Sequence, residues 1–103
     1  MRRNPMNKAL EEYMQGIKVK KIHPRLTYHR CEMCGYEYKK EPMWEARVPL
    51  VIFKGHMSYY IGCQHCFQTG DEFRKYLEER GKIYTEESFK NDRWLRAMYG
   101  NAE

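Results

Sequence analysis

Four cysteines in this chain fall as two Cys-x-x-Cys pairs, Cys31-Glu32-Met33-Cys34 and Cys63-Gln64-His65-Cys66, with 28 residues between the pairs. Two residues between cysteines let both thiolates of a tight turn face one ion, while backbone N–H groups of the turn donate to the sulfurs and soften their charge. Gly35, directly after Cys34, fits such a turn, which commonly needs a residue tolerant of positive φ. Four thiolates close a tetrahedron and leave no open position for substrate, which separates a structural zinc site from a catalytic one. The expected cofactor is therefore one structural Zn2+ held by Cys31, Cys34, Cys63 and Cys66, with Fe as the alternative.

Little else in the sequence offers chemistry. His23, His29, His56 and His65 contain no ligand pair such as His-x-x-x-His, and each reads as a surface or turn residue. Glu11-Glu12, Glu78-Glu79 and Glu86-Glu87 read as neighbours on solvated helix faces. With the thiols committed to metal, no nucleophile, carboxylate pair or phosphate-cradling glycine loop remains, so the expected role is non-catalytic.

CEMCG and CQHC resemble the two knuckles of zinc-ribbon domains, small β modules common in transcription and nucleic-acid machinery. CEMCGYEY, with CQHC followed by GDEF, is also similar to rubredoxin, which implies a single iron carrying electrons; Phe67 stands where rubredoxins place a glycine. A third likeness is to the treble-clef HNH scaffold. There the stretch Glu45-Ala46-Arg47-Val48-Pro49-Leu50 puts Ala46 in the place of the water-activating His, so the resemblance implies binding without nuclease chemistry.

These knuckles need elements to hold them. Asn4-Pro5 and Gly16 bracket a helix whose Met6, Leu10, Tyr13 and Ile17 share one side and are expected to pack on the metal domain. Lys18 to Arg30 reads as a basic connector, either an edge strand or an arm. Three antiparallel strands are expected at roughly 35–40, 45–53 and 56–62, the last two joined through Lys54-Gly55. Thr69-Gly70-Asp71-Glu72 reads as a capping box opening a helix that ends at Gly81, and Thr85 or Asp92 can cap a further helix ending at Gly100. The expectation is a small α+β fold: a zinc-ribbon-like or treble-clef three-stranded antiparallel core, an N-terminal helix, and one or two C-terminal helices. Residues 1–30 form the basic helix and connector packed on the core, and residues 31–103 the four-cysteine zinc domain with its C-terminal helices, one structural domain overall.

Charge points to a partner. The chain carries a formal net +5, and residues 1–30 hold eight Lys/Arg against Glu11 and Glu12, while the remainder is balanced. A localised positive field suits a polyanion. Lys18, Lys20, Lys21, Arg25 and Arg30 are the candidate nucleic-acid contacts, with a solvated strand as the bland alternative. Nine Tyr and two Trp make a heavy aromatic load, and Tyr59, Tyr60, Trp94 and Tyr99 are candidates for a protein interface as well as for the core. No run approaches the ~18 apolar residues of a membrane helix, and Met1-Arg2-Arg3-Asn4-Pro5 lacks the apolar stretch of a secretory signal, so the expected location is the cytoplasm. The leading expectation is a zinc-stabilised protein that contacts nucleic acid or a complex handling it. A protein-binding adaptor or inhibitor, of the kind mobile elements such as bacteriophages encode, is the alternative, and an iron electron carrier the second.

Overall fold

The computed structural model describes residues 5–53 and 55–99. Helix α1 (Pro5–Gly16) starts on the proline, whose ring pre-sets a helical φ and whose missing N–H would have no intrahelical partner there; its expected cap, Asn4, lies outside the described residues. The expected stripe faces inward, with Met6, Tyr13 and Ile17 buried and Leu10 packed beside them in one apolar cluster.

After a single residue the chain enters β1 (Lys18–Ile22), which pairs antiparallel with β4 (Met43–Pro49), which in turn pairs with β5 (Met57–Cys63). The sheet order is β1-β4-β5, so β4 is central. Residues 35–40, expected as the first strand of this sheet, instead contribute only β3 (Glu37–Tyr38), which forms a two-stranded ribbon with β2 (His29–Arg30). The third sheet strand is drawn from the basic connector. β4 ends at Pro49, which has no N–H for the ladder, and Leu50 to Phe53 bend into a loop closed by the His56 N–H donating to the Phe53 carbonyl at 3.1 Å.

Beyond β5 come α2 (Gly70–Glu79), α3 (Glu86–Asn91) and α4 (Arg93–Tyr99). The Thr69 hydroxyl accepts the Glu72 N–H at 3.1 Å, but the Glu72 carboxylate accepts the Gln68 N–H at 2.8 Å, one residue before the expected reciprocal contact. The complete capping box is at Thr85 and Ser88. Thr85 and Asp92 both act as caps, because Asp92 Oδ1 accepts the N–H groups of Trp94 and Leu95 at 2.9 and 3.0 Å and splits the last helical stretch in two.

These helices bury Phe73, Leu77, Ile83, Phe89 and Leu95 against one face of the sheet and against α1. Gly62 makes the contact possible. A Cβ there would lie 2.7 Å from Phe73 Cε1 and 2.8 Å from Phe67 Cδ2, so β5 approaches α2 closer than any side chain allows. Trp44 Nε1 donates to the Phe67 carbonyl at 2.9 Å and fixes the chain between Cys66 and α2.

Candidate metal centre

The first pair sits in the turn between β2 and β3, the second at the end of β5 and the turn after it. The Gly35 N–H donates to the Cys31 carbonyl at 2.9 Å, and the Cys31 N–H donates to the Tyr36 carbonyl at 3.0 Å, a closed loop that requires Gly35 at φ +74°. The Glu32 N–H then donates to the Ile61 carbonyl at 2.8 Å and ties this turn to β5. The result brings one thiol from each of Cys31, Cys34, Cys63 and Cys66 together, all within 4.8 Å of one another, with Cys34 Sγ and Cys63 Sγ 3.8 Å apart. A tetrahedron with metal–sulfur bonds of ~2.3 Å has an edge of about 3.8 Å, so the spacing fits one ion.

The donors around the sulfurs fit as well. Cys31 Sγ accepts the N–H groups of Met33 (3.4 Å) and Cys63 (3.3 Å), and Cys63 Sγ accepts that of Cys66 (3.3 Å). The backbone N–H of Tyr36 pulls the Cys34 thiol down to about 7, whereas burial pushes Cys31 and Cys66 upward, with the neighbouring sulfurs adding to the rise at Cys66. Four sulfurs this close cannot all ionise beside one another, and a divalent cation relieves that repulsion. Cys31 and Cys63 are buried, Cys66 half-buried, and Cys34 exposed.

Residues not anticipated as part of the site stand at its open side. The Tyr38 hydroxyl is 3.9 Å from Cys34 Sγ, its ring stacks on His65 at 5.5 Å between centroids, and His65 Nε2 lies 3.0 Å from Glu41 Oε2. The cysteine spacing carries no signal for this chain of contacts beyond the position of His65 inside the second pair. His29 lies outside the sulfur cluster, with Nε2 3.2 Å from Thr27 Oγ1.

The five candidate cations are not on one surface. Strand alternation puts Lys18 and Lys20 on one face of the sheet and Lys21 on the other, where its ammonium sits 5.3 Å from the Trp44 ring centroid. Lys20 lies 3.9 Å from Glu45, and Arg30 makes a 3.0 Å contact with Glu37 across the ribbon. Arg25 is exposed in the loop between β1 and β2.

The four candidate interface aromatics also divide. Tyr59 is exposed on the face that carries Lys18, while Tyr60 points to the helical side. There Tyr60 and the exposed Trp94 line a cavity of ≈ 280 Å³, and Tyr99 lines an adjoining one of ≈ 570 Å³. Between them stand the exposed Leu50, Ile52, Phe53 and Met98, whose sequence pattern points to strand or helix and not to a surface.

Comparison with protein-family models, with curated proteins and with solved structures returned no match. Among the described residues no helix is long and apolar enough to cross a membrane. What stands on geometry is a four-cysteine cluster able to hold a metal ion within a small α+β fold.

Proposed function

We propose that this chain is a zinc-scaffolded binding protein, without catalytic function, that contacts nucleic acid or a complex handling it. The observation that carries the scaffold is the convergence of four thiols, from two knuckles 28 residues apart, within 4.8 Å. Cys31, Cys34, Cys63 and Cys66 would hold the ion, and a tetrathiolate shell leaves it no vacant position for substrate. The ion then pins the β2–β3 ribbon to β5 and fixes the surfaces on either side.

Support for a polyanionic partner comes from the excess of basic residues before Cys31 and from the placement of three of them, Lys18, Lys20 and Lys21, exposed along edge strand β1. Elemental analysis of the purified protein tests the metal: a colourless protein with one zinc per chain is expected, and a red, iron-loaded one would replace the scaffold with an electron carrier. Binding to nucleic acid that weakens steeply with salt tests the partner. Lys18→Ala, Lys20→Ala and Lys21→Ala together should flatten the logarithmic salt slope by roughly 2–3 units.

A second reading rests on the exposed apolar side chains Leu50, Ile52, Phe53, Trp94 and Met98 beside the two cavities. Apolar and aromatic groups gathered around concave surface suit a protein partner, as an adaptor or inhibitor would use. Absence of binding to any nucleic acid at low salt, with capture of a partner lost on Trp94→Ala, would favour it.

A further inference from the structure

The sheet has one covered and one partly open face. Helix α2 packs on the face that carries Val19, Trp44 and Gly62. On the opposite face, side chains of the three strands stand in cross-strand rows: Ile22, Met43 and Cys63; then Lys20, Glu45 and Ile61; then Lys18, Arg47 and Tyr59. The first row is closed over at the knuckles, with Met43 and Cys63 buried. The third is exposed throughout.

The second and third rows differ in charge. Lys20 faces Glu45 and pairs with it at 3.9 Å, the arrangement cross-strand neighbours favour. Lys18 faces Arg47, and like charges directly opposite destabilise a strand pair. Among the described residues no carboxylate lies within ion-pair distance of either. The next member of that row is Tyr59, 53% exposed, with the Arg47 guanidinium 5.6 Å from its ring centroid and Arg47 Nη2 donating to its hydroxyl at 3.4 Å. Two cations with no carboxylate partner among the described residues therefore stand in line with an exposed aromatic ring that the nearer one, Arg47, already holds in place.

We propose that the row Lys18, Arg47 and Tyr59 is a binding site for single-stranded nucleic acid, the cations taking phosphate and the Tyr59 ring taking a base. This deepens the nucleic-acid reading and rests on it. Charge complementarity selects a polyanion, since an anion bridging Lys18 and Arg47 removes a repulsion the fold leaves in place. The ring selects a single strand. In a duplex the base faces are hidden in the stack, whereas an unpaired strand presents them to an exposed aromatic on a sheet face. Neither Arg47 nor Tyr59 belongs to the basic segment, so the site draws on central and far strands that charge counting along the chain passes over.

The test measures binding of the zinc-loaded full chain to a labelled short oligothymidylate and to a duplex of the same length at low salt. The single strand should bind more tightly. Tyr59→Leu should weaken it by about fivefold or more, as loss of one stacked base does, while leaving duplex binding within twofold. Tyr59→Phe, which keeps the ring, should retain single-strand affinity, and Arg47→Gln should reduce both the affinity and its salt dependence. Unchanged affinity in Tyr59→Leu would overturn this site while the lysine triple variant could still uphold binding through β1. Equal or tighter duplex binding, or displacement of the strand by polyglutamate as readily as by unlabelled oligothymidylate, would also overturn it. No binding to either nucleic acid would remove the general reading and this site together.

Discussion

At the knuckle end of the molecule, residues 32–37 are all exposed and only Cys31, Met43 and Cys63 are fully enclosed, whereas on the helical side Phe73, Leu77, Ile83, Phe89 and Leu95 are each 1% exposed or less. The same sheet connects both. One region closes around sulfur, with backbone N–H groups turned toward thiols, and has almost no hydrocarbon to bury. The other closes around aromatic and aliphatic side chains: Tyr13, Tyr84 and Phe89 meet pairwise at 5.6 to 5.7 Å between ring centroids. A short chain with few aliphatics divides its interior here, placing apolar residues where helices can enclose them and leaving the other end to a cysteine cluster able to hold a metal.

The largest expected effect comes from removing the ion that the four thiols would hold. Structural zinc binding is worth ~10–16 kcal/mol in apparent terms, far above any single contact in the apolar cluster. Chelation, or Cys63→Ser, should abolish hydrogen-exchange protection at the Glu32, Gly35 and Cys63 amides while helical ellipticity from α2 to α4 persists. If both disappear at one chelator concentration, the regions form a single cooperative unit and the division between them is wrong.

The converse experiment is Phe89→Ala. The side chain is fully buried against two tyrosines, so truncation should cost about 3–5 kcal/mol and lower the melting temperature, yet leave metal stoichiometry and affinity unaltered. Gly62→Ala probes the seam, being next to Cys63 and beneath Phe73. The added methyl forces β5 away from α2, with an expected loss of about 1–3 kcal/mol. Because Cys63 must move with it, this variant, unlike Phe89→Ala, should weaken metal retention in a competition with a chromophoric chelator.

The same division governs what could be read from the sequence. The knuckles were legible because liganding by Cys-x-x-Cys depends on spacing within a few residues, and Gly35 and the caps at Thr69 and Thr85 act just as locally. The strands expected at 45–53 and 56–62 were legible too and are β4 and β5, but the third member of the sheet was not. Lys18 to Ile22 holds three lysines in five residues and reads as either an edge strand or an arm; it becomes the edge strand because β4 supplies its hydrogen bonds from over twenty residues away. Tyr36 and Tyr38 alternate as a strand should, but the knuckle takes Tyr36 for the Cys31 contact and leaves β3 two residues long. The Tyr38, His65 and Glu41 contacts beside the thiols, and the Lys18, Arg47 and Tyr59 row, arise from three-dimensional pairing alone.

The smallest effect expected concerns the join between α3 and α4, where the apolar region relies on charge after all. The Tyr84 hydroxyl donates to Asp92 Oδ2 at 2.7 Å and, with the N–H groups of Leu95 and Trp94, holds the Asp92 carboxyl below its usual range, while burial first and this carboxylate second raise Tyr84 to about 12. A folded-state pKa below the unfolded ~3.9 means that the stabilisation is present above that value and is lost as pH falls through the folded one. Acid also releases metal from the thiols, so the informative comparison is with Asp92→Asn through identical pH steps, since Asn still caps the helix but carries no charge. The native protein should exceed that variant by about 0.2–1 kcal/mol at neutral pH, the range for interactions close to water. The gap should begin to narrow as pH falls below about 4 and close once it is under the folded value. A gap independent of pH would show that Asp92 acts there by shape and not by charge, and that the helical region differs from the knuckles more completely than this join suggests.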